Sequence, residues 1–478
     1  MIRRTTSARR SRAMATLALA LSLVLATGLV PARAADAPAA DTSESRMRRE
    51  LSLAQAWVAT LDQDPSYQAA ISAREAGQSE RAMGRAGLLP QINASASRSK
   101  VRGTLDSPGL GGSTISQDLR YTAKVAEVRA TQTLFDWSRY AEYRRGQARA
   151  DLALAVFDTQ VNDTASRLVN RYFQVLLDVE NVSITRNRVE ANATMLKAAQ
   201  RRFEAGEGTI TEIREAESRH DLSRADLIAA RDALVVAVEE LQEMVGRTPL
   251  RLYPLKAGFT PGNLEPETLE GWLTLALGAN ADILTGWQHL RVAETEVQRS
   301  LGGHLPTVEA IAARRHVEGE TITTRDQKSR NTTWGIQASL PIFSGGRTQA
   351  QLNQARHNRD RSRHELDATH HEVIVEVTRQ YQAVVGGVER EAALTTAVKS
   401  SEQALEATRR GFEGGTRTMV DVLDAQDMLF QARMDLMQAR LQYIVARLLL
   451  ASAAGRLDQS LMDAATTEYF SEIPVDVG

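Results

Sequence analysis

RGFEGGTRTMVDVLDAQD, residues 410–427, has a weaker copy in RRFEAGEGTITEIREAES, residues 201–218. In each, an apolar-striped run stops at glycines, Gly206 and Gly208 in one and Gly414 and Gly415 in the other. A threonine then stands three residues ahead of a carboxylate, Thr209 with Glu212 and Thr418 with Asp421. Glycine relieves the backbone of a tight reversal, and the Thr-x-x-Glu/Asp spacing caps a new helix. Each stretch is therefore a helical hairpin turn.

Outward from the first turn, Ser138–Arg202 contains no proline and only Gly146. Leu154, Phe157, Val161, Ala165, Leu168, Tyr172, Val175, Val179 and Val182 step by three and four, the coiled-coil seam period. Such a helix is roughly 100 Å long at 1.5 Å per residue. Beyond the second turn Val422, Ala425, Leu429, Ala432, Leu436, Ala439, Tyr443, Ala446 and Leu450 continue the same alternation, its alanines allowing close helix approach.

The rest of the chain repeats as well. SLAQAWVATLDQDPSY from Ser52 aligns with TLEGWLTLALGANADI from Thr268, GLLPQI from Gly87 with GHLPTV from Gly303, and TLFDWSR with PIFSGGR. The duplicated unit is helix, strand, loop, strand, long helix, turn, helix. Its first copy spans 35–245, with strands near 91–101 and 121–135 and a long helix near 138–202. A proline-rich linker covers 246–266. The second copy spans 267–456, with strands near 307–315 and 332–343 and a long helix near 347–410, and 457–478 forms a C-terminal tail. The stretches 102–119 and 316–330 read as surface loops.

In TTWGIQASLPIF, Trp334, Ile336, Ala338 and Leu340 point one way and Thr333, Gly335, Gln337 and Ser339 the other, the pattern of a strand between lipid and a polar lumen. Each copy offers two such strands. A spanning sheet cannot leave an open edge in lipid, so closure requires more than one chain. Two chains give eight strands and three give twelve, and the larger number leaves an aqueous lumen.

The ends agree with export. Arg3, Arg4, Arg9, Arg10 and Arg12 precede an apolar run from Ala13 to Val30 and the small-residue site Ala32-Arg33-Ala34, a secretory signal cleaved after Ala34. The chain has 58 Lys and Arg against 59 Asp and Glu, and removing the six arginines of residues 1–34 leaves 52 against 59, a net charge of −7. That balance argues against nucleic-acid binding. There is no cysteine for a disulfide or a lipid anchor.

These residues, above all GTRTMVDVLDAQ, GHLPT and SLPIFSGGR together with the duplication, resemble the TolC family of outer-membrane efflux and secretion channels, in its unlipidated branch. The resemblance implies an α+β membrane protein: a homotrimer with a 12-stranded outer-membrane β-barrel set in lipid and continued by a long periplasmic α-helical barrel. It implies a passive exit duct of a tripartite efflux pump or type I secretion system. Its hairpin tips, marked by Gly206, Gly208, Gly414 and Gly415, would be engaged by a periplasmic adaptor and an inner-membrane ABC or RND transporter.

Carried over residue by residue, the resemblance makes Arg417 the closed-state clasp, held by Thr211 and Glu212 of a neighbouring hairpin. Asp421 and Asp424 become carboxylate rings in the pore constriction. Phe412 stands where the family usually has tyrosine, keeping the packing and losing a hydroxyl. Helix capping accounts for Glu212 and Asp421 equally well, whereas Asp424 is not needed for the cap. His357, His364 and His371 recur every seven residues. Positions two turns apart lie about 10 Å apart along the axis and cannot share one ion, so a polar helix face is expected and no metal or other cofactor. No enzyme motif is present. A periplasmic coiled-coil scaffold would explain the heptads but not the strands, and a stand-alone porin would explain the strands but not the long helices.

Overall fold

The computed structural model of the chain describes residues 50–109, 111–249, 251–256, 258–319 and 327–477. The signal sequence lies outside the described residues. The two halves of the described chain share one core, the waist. In chain order the elements are β1 (Glu50–Leu51), α1 (Leu53–Gln63), α2 (Pro65–Gln78), α3 (Glu80–Ala86), β2 (Gln91–Pro108), β3 (Thr114–Phe135), α4 (Trp137–Glu204) and α5 (Ile210–Val245). Then follow β4 (Arg251–Leu252), α6 (Leu269–Ala279), α7 (Ala281–Gly302), β5 (Thr307–Gly319), β6 (Gln327–Ser339), α8 (Arg347–Glu413), α9 (Met419–Ala453), α10 (Gln459–Tyr469) and β7 (Val475–Asp476).

The helix starts are locally encoded. Asp136 accepts from the Arg139 amide to open α4, Pro65 occupies the first turn of α2 where its missing N–H costs nothing, and Asp64 accepts from Ser66 ahead of it. The left-handed Gly246, φ +69°, ends α5. Near the sheet, α4 packs against α2, α3, and α7; farther away it pairs with α5, as α8 pairs with α9.

β2, β3, β5 and β6 form one antiparallel sheet in that order, leaving β2 and β6 as edges. All helices attach at one end of it. The strands outrun the expected ones. The 102–119 loop is strand except for a turn in which the Gly109 amide donates to Ser113, and β5 and β6 reach Gly319 and Gln327, with 320–326 outside the described residues. The cause is a change of phase. Near the helices the apolar residues of β2 and β3 are even-numbered (Ile92, Val128), and beyond Arg98 they are odd-numbered (Val101, Leu105, Leu119, Tyr121), so a single alternation fails midway. β6 stops at Ser339 rather than 343, because Pro341 has no N–H for the ladder.

The waist holds the main core. β1, β4 and β7 make a small sheet there with β4 in the middle. Tyr172, Leu241, Leu252, Ile283, Val377 and Tyr443 are buried around it. The segment expected as a tail is α10 and β7, and Phe470 packs edge-on against Tyr172 at 6.0 Å. Arg251 bridges Asp476 at 2.9 Å and Glu50 at 3.2 Å. Among the described residues, no helix is long and apolar enough to cross a membrane.

Candidate functional site: the paired hairpin tips

The two turns share one backbone solution. Gly206 has φ +78° and Gly415 +75°, the left-handed region. Around them, Glu207 donates to the Arg202 carbonyl at 2.9 Å and Thr416 to the Gly411 carbonyl at 2.8 Å, the six-to-one bond that closes a helix C-terminus. Gly414 has an ordinary φ of −82°. A Cβ on Gly208 would press on the Phe203 amide nitrogen at 3.1 Å.

Both return helices open with complete capping boxes. The Thr209 hydroxyl accepts from the Glu212 amide at 3.2 Å and Glu212 accepts from the Thr209 amide at 3.3 Å. In the second tip Asp421 Oδ2 accepts from the Thr418 amide at 2.8 Å and from its hydroxyl at 2.9 Å. Those bonds, the backbone one first, with a smaller contribution from the Arg417 charge, hold the Asp421 carboxyl below its ordinary 3.8 despite slight desolvation. Arg417 Nη1 is 4.0 Å from Asp421 Oδ1, and its side chain is mostly exposed. Thr211 is exposed and takes no part in the cap. Capping therefore occupies Glu212 and Asp421 within the protomer.

Asp424 is engaged elsewhere. Its Oδ1 accepts from Arg219 Nη2 at 2.6 Å, across from α9 to α5. The other arm of Arg219 donates to Asp427 Oδ2 at 2.8 Å, and Arg188 on α4 donates to Asp427 Oδ1 at 2.9 Å and to Asp226 at 3.1 Å. Burial works against the charge of Arg219, but the hydrogen bond and field of Asp424, with Glu215 and Asp427, more than offset it and raise its pKa. This lattice of charges is the polar tie between the two hairpins. It was not evident from the motifs. The available signal was that Asp424 and Asp427 share one helix face while the first copy has Arg219 just past its matching stretch.

Apolar contact joins the same places. Phe412 packs with Met195, Ala199, Ala216, Met419 and Leu423, and the Arg202 guanidinium stacks on its ring at 4.6 Å. Phe412 thus holds the two tips together in one protomer. Gln426, 2% exposed, has no hydrogen-bond partner for either amide atom among the described residues. An amide left so costs about 1–3 kcal/mol. His357, His364 and His371 lie at separate levels of α8, each exposed.

The sequence matches the model of the outer membrane efflux protein family over residues 56–247 and 272–456. It is 31% identical over 414 residues to the alkaline protease secretion protein AprF of Pseudomonas aeruginosa, covering 86% of each chain. It is 32% identical over 434 residues to the proteases secretion protein PrtF of Dickeya chrysanthemi, covering 89% of this chain and 92% of that one. Its fold is that of the outer membrane protein VceC of Vibrio cholerae, with a TM-score of 0.71 at 18% identity over 84% of this chain and 96% of that one.

Proposed function

The chain belongs to the outer membrane efflux protein family, and on that premise we propose how this outer-membrane exit duct is assembled and gated. Three copies join β6 of one to β2 of the next. They close twelve strands in the outer membrane and bring six long helical hairpins together as a periplasmic tunnel. The observation that carries this reading is the sheet itself: four strands with two unpaired edges and an apolar face on which Trp334 is 83% exposed. Such a sheet is satisfied in lipid only by closure on further copies.

At the tips, Arg417 reaches Thr211 and Glu212 of the neighbouring protomer in the closed state, its fork retaining only a 4.0 Å contact to its own Asp421. Asp421 and Asp424 then stand in two rings, each already hydrogen-bonded at home through one carboxylate oxygen. Six carboxylates around one axis favour cations and bind multivalent ones. An adaptor and an inner-membrane transporter engage the tips to open them. The protease-secretion relatives favour protein cargo and an ABC transporter, as in type I secretion.

The test is conductance of the purified protein in planar bilayers. Asp421→Asn with Asp424→Asn is expected to weaken block by hexamminecobalt(III) by about tenfold, a loss of about 1.4 kcal/mol in binding. Block of unchanged strength would overturn the carboxylate rings. Arg417→Ser is expected to raise the resting conductance, and an unaltered trace would remove the clasp.

A further inference from the structure

One face of the large sheet changes character along its length. Next to the helices it presents Ile92, Ala96, Val128, Ala312, Trp334 and Ile336, cross-strand partners or neighbours two apart. Farther along, the same face carries a belt of cations, beyond which Asp106 and Asp118 lie near the turn. Arg98, Lys100 and Arg102 alternate along β2, with Lys124 directly across from Arg98 and Arg120 directly across from Arg102. On β5 and β6 the cations of this face begin nearer the helices, Arg314 directly across from Val128 and Arg330 directly across from His316.

Glu318 on this face engages Lys124 at 3.4 Å and Lys328 at 3.8 Å. Arg98, Lys100, Arg102, Arg120, Arg314 and Arg330 are exposed and have no carboxylate partner among the described residues. Like charges directly opposite one another destabilise a strand pair. Such pairing on an exposed face is satisfied by an anion lying over it.

The height of the belt identifies the anion. From Trp334 to Phe343 the chain runs ten residues in which Trp334, Ile336, Leu340, Ile342 and Phe343 are exposed apolar groups. Six of these residues end β6 and four follow it, together about the length a tilted segment needs to cross the hydrocarbon core, with an aromatic side chain at the rim. The arginines begin immediately beyond, at the headgroup level of the leaflet farthest from the helices. Arginine forks match phosphate oxygens in pairs.

We propose that this belt docks phosphate-bearing lipid headgroups of the outer leaflet, neutralising the paired cations and fixing the depth of the barrel in the membrane. This rests on the reading of the sheet as a barrel wall whose even-numbered face meets lipid.

The intact protein in detergent is mixed with diphosphoryl lipid A, with monophosphoryl lipid A, or with phosphatidylcholine, and retained lipid is counted by native mass spectrometry. Diphosphoryl lipid A is expected to bind about tenfold more tightly than phosphatidylcholine, with the monophosphoryl form between them. Arg98→Gln with Arg102→Gln and Arg120→Gln should abolish the difference. Arg314→Gln with Arg330→Gln, on the other hairpin, should reduce it and guards against misfolding of the first variant. Equal retention of all three lipids overturns the belt, as does ready displacement by inorganic phosphate, which would mark a free-anion site. Failure of the wild type to insert into bilayers at all would instead strike the barrel reading.

Discussion

At the first hairpin tip Ile210 is 52% exposed and Arg214 lies in solvent, whereas at the matching places of the second tip Met419 and Leu423 are sealed at 1% each. The turns are otherwise alike: a left-handed glycine, a six-to-one closing bond and a threonine capping box. What distinguishes them is the direction in which the return helix packs. α9 turns its apolar face into its own protomer, while α5 leaves Leu222, Ile228 and Val235 facing outward at 59–62% exposure. One backbone frame has been used once for internal packing and once for presentation of an open face.

The sharpest way to break this contrast is at the phenylalanines. Phe412→Ala should destabilise the tip by about 3 kcal/mol, the cost of removing an aromatic side chain from a packed cluster, while Phe203→Ala, at 45% exposure, should cost less than about 1 kcal/mol. Protease cleavage at the tips in the detergent-solubilised protein reads both. Similar losses at the two positions would mean that the tips pack alike.

Arg219→Ala comes next. It removes the partner of Asp424 and Asp427 together and should cost about 2 kcal/mol, less than a fully buried pair because Arg219 retains some exposure. Met428, the residue matching it in the second copy, lies 68% exposed, and its alanine variant should stay within about 0.5 kcal/mol. A double-mutant cycle of Arg219→Ala with Asp427→Ala isolates the pair, and a coupling near zero would dismiss the inter-hairpin tie.

The smallest effect tests the likeness rather than the difference. Thr209→Ala and Thr418→Ala should each cost about 1 kcal/mol, since the caps are geometrically equivalent. The second cap carries an added pH signature. Asp421 is held below its ordinary 3.8, so its contribution is complete above that value and is lost as pH falls through the lower folded value. Hydrogen exchange at the start of α9 on acidification measures this, and exchange unaltered across that range would reject it.

Much of this was legible in the chain. The long helices, their turns and both caps follow from glycine placement, Thr-x-x-Glu/Asp spacing and seam periodicity, all of which are local. The far halves of the strands were not legible, because the apolar residues of β2 and β3 change from even to odd numbers beyond Arg98. That shift places basic residues on the face that carries Ile92 and Trp334 and apolar ones on the opposite face. The partners of Asp424 escaped for another reason. Arg219 lies 205 residues away in sequence, and no local pattern encodes which side of α5 meets α9.

The waist sheet joins residues 50–51, 251–252 and 475–476, so β4 is completed on one side by the start of the described chain and on the other by its end. The long hairpins form from local contacts, whereas this sheet must bring together segments about two hundred residues apart, the slow kind of pairing. Until those segments meet, the seat of Phe470 against Tyr172 is empty and Arg251 lacks Asp476. The waist is thereby the one place among the described residues where the middle of the chain is clasped by segments remote from it on both sides, and its closure depends on the fold as a whole.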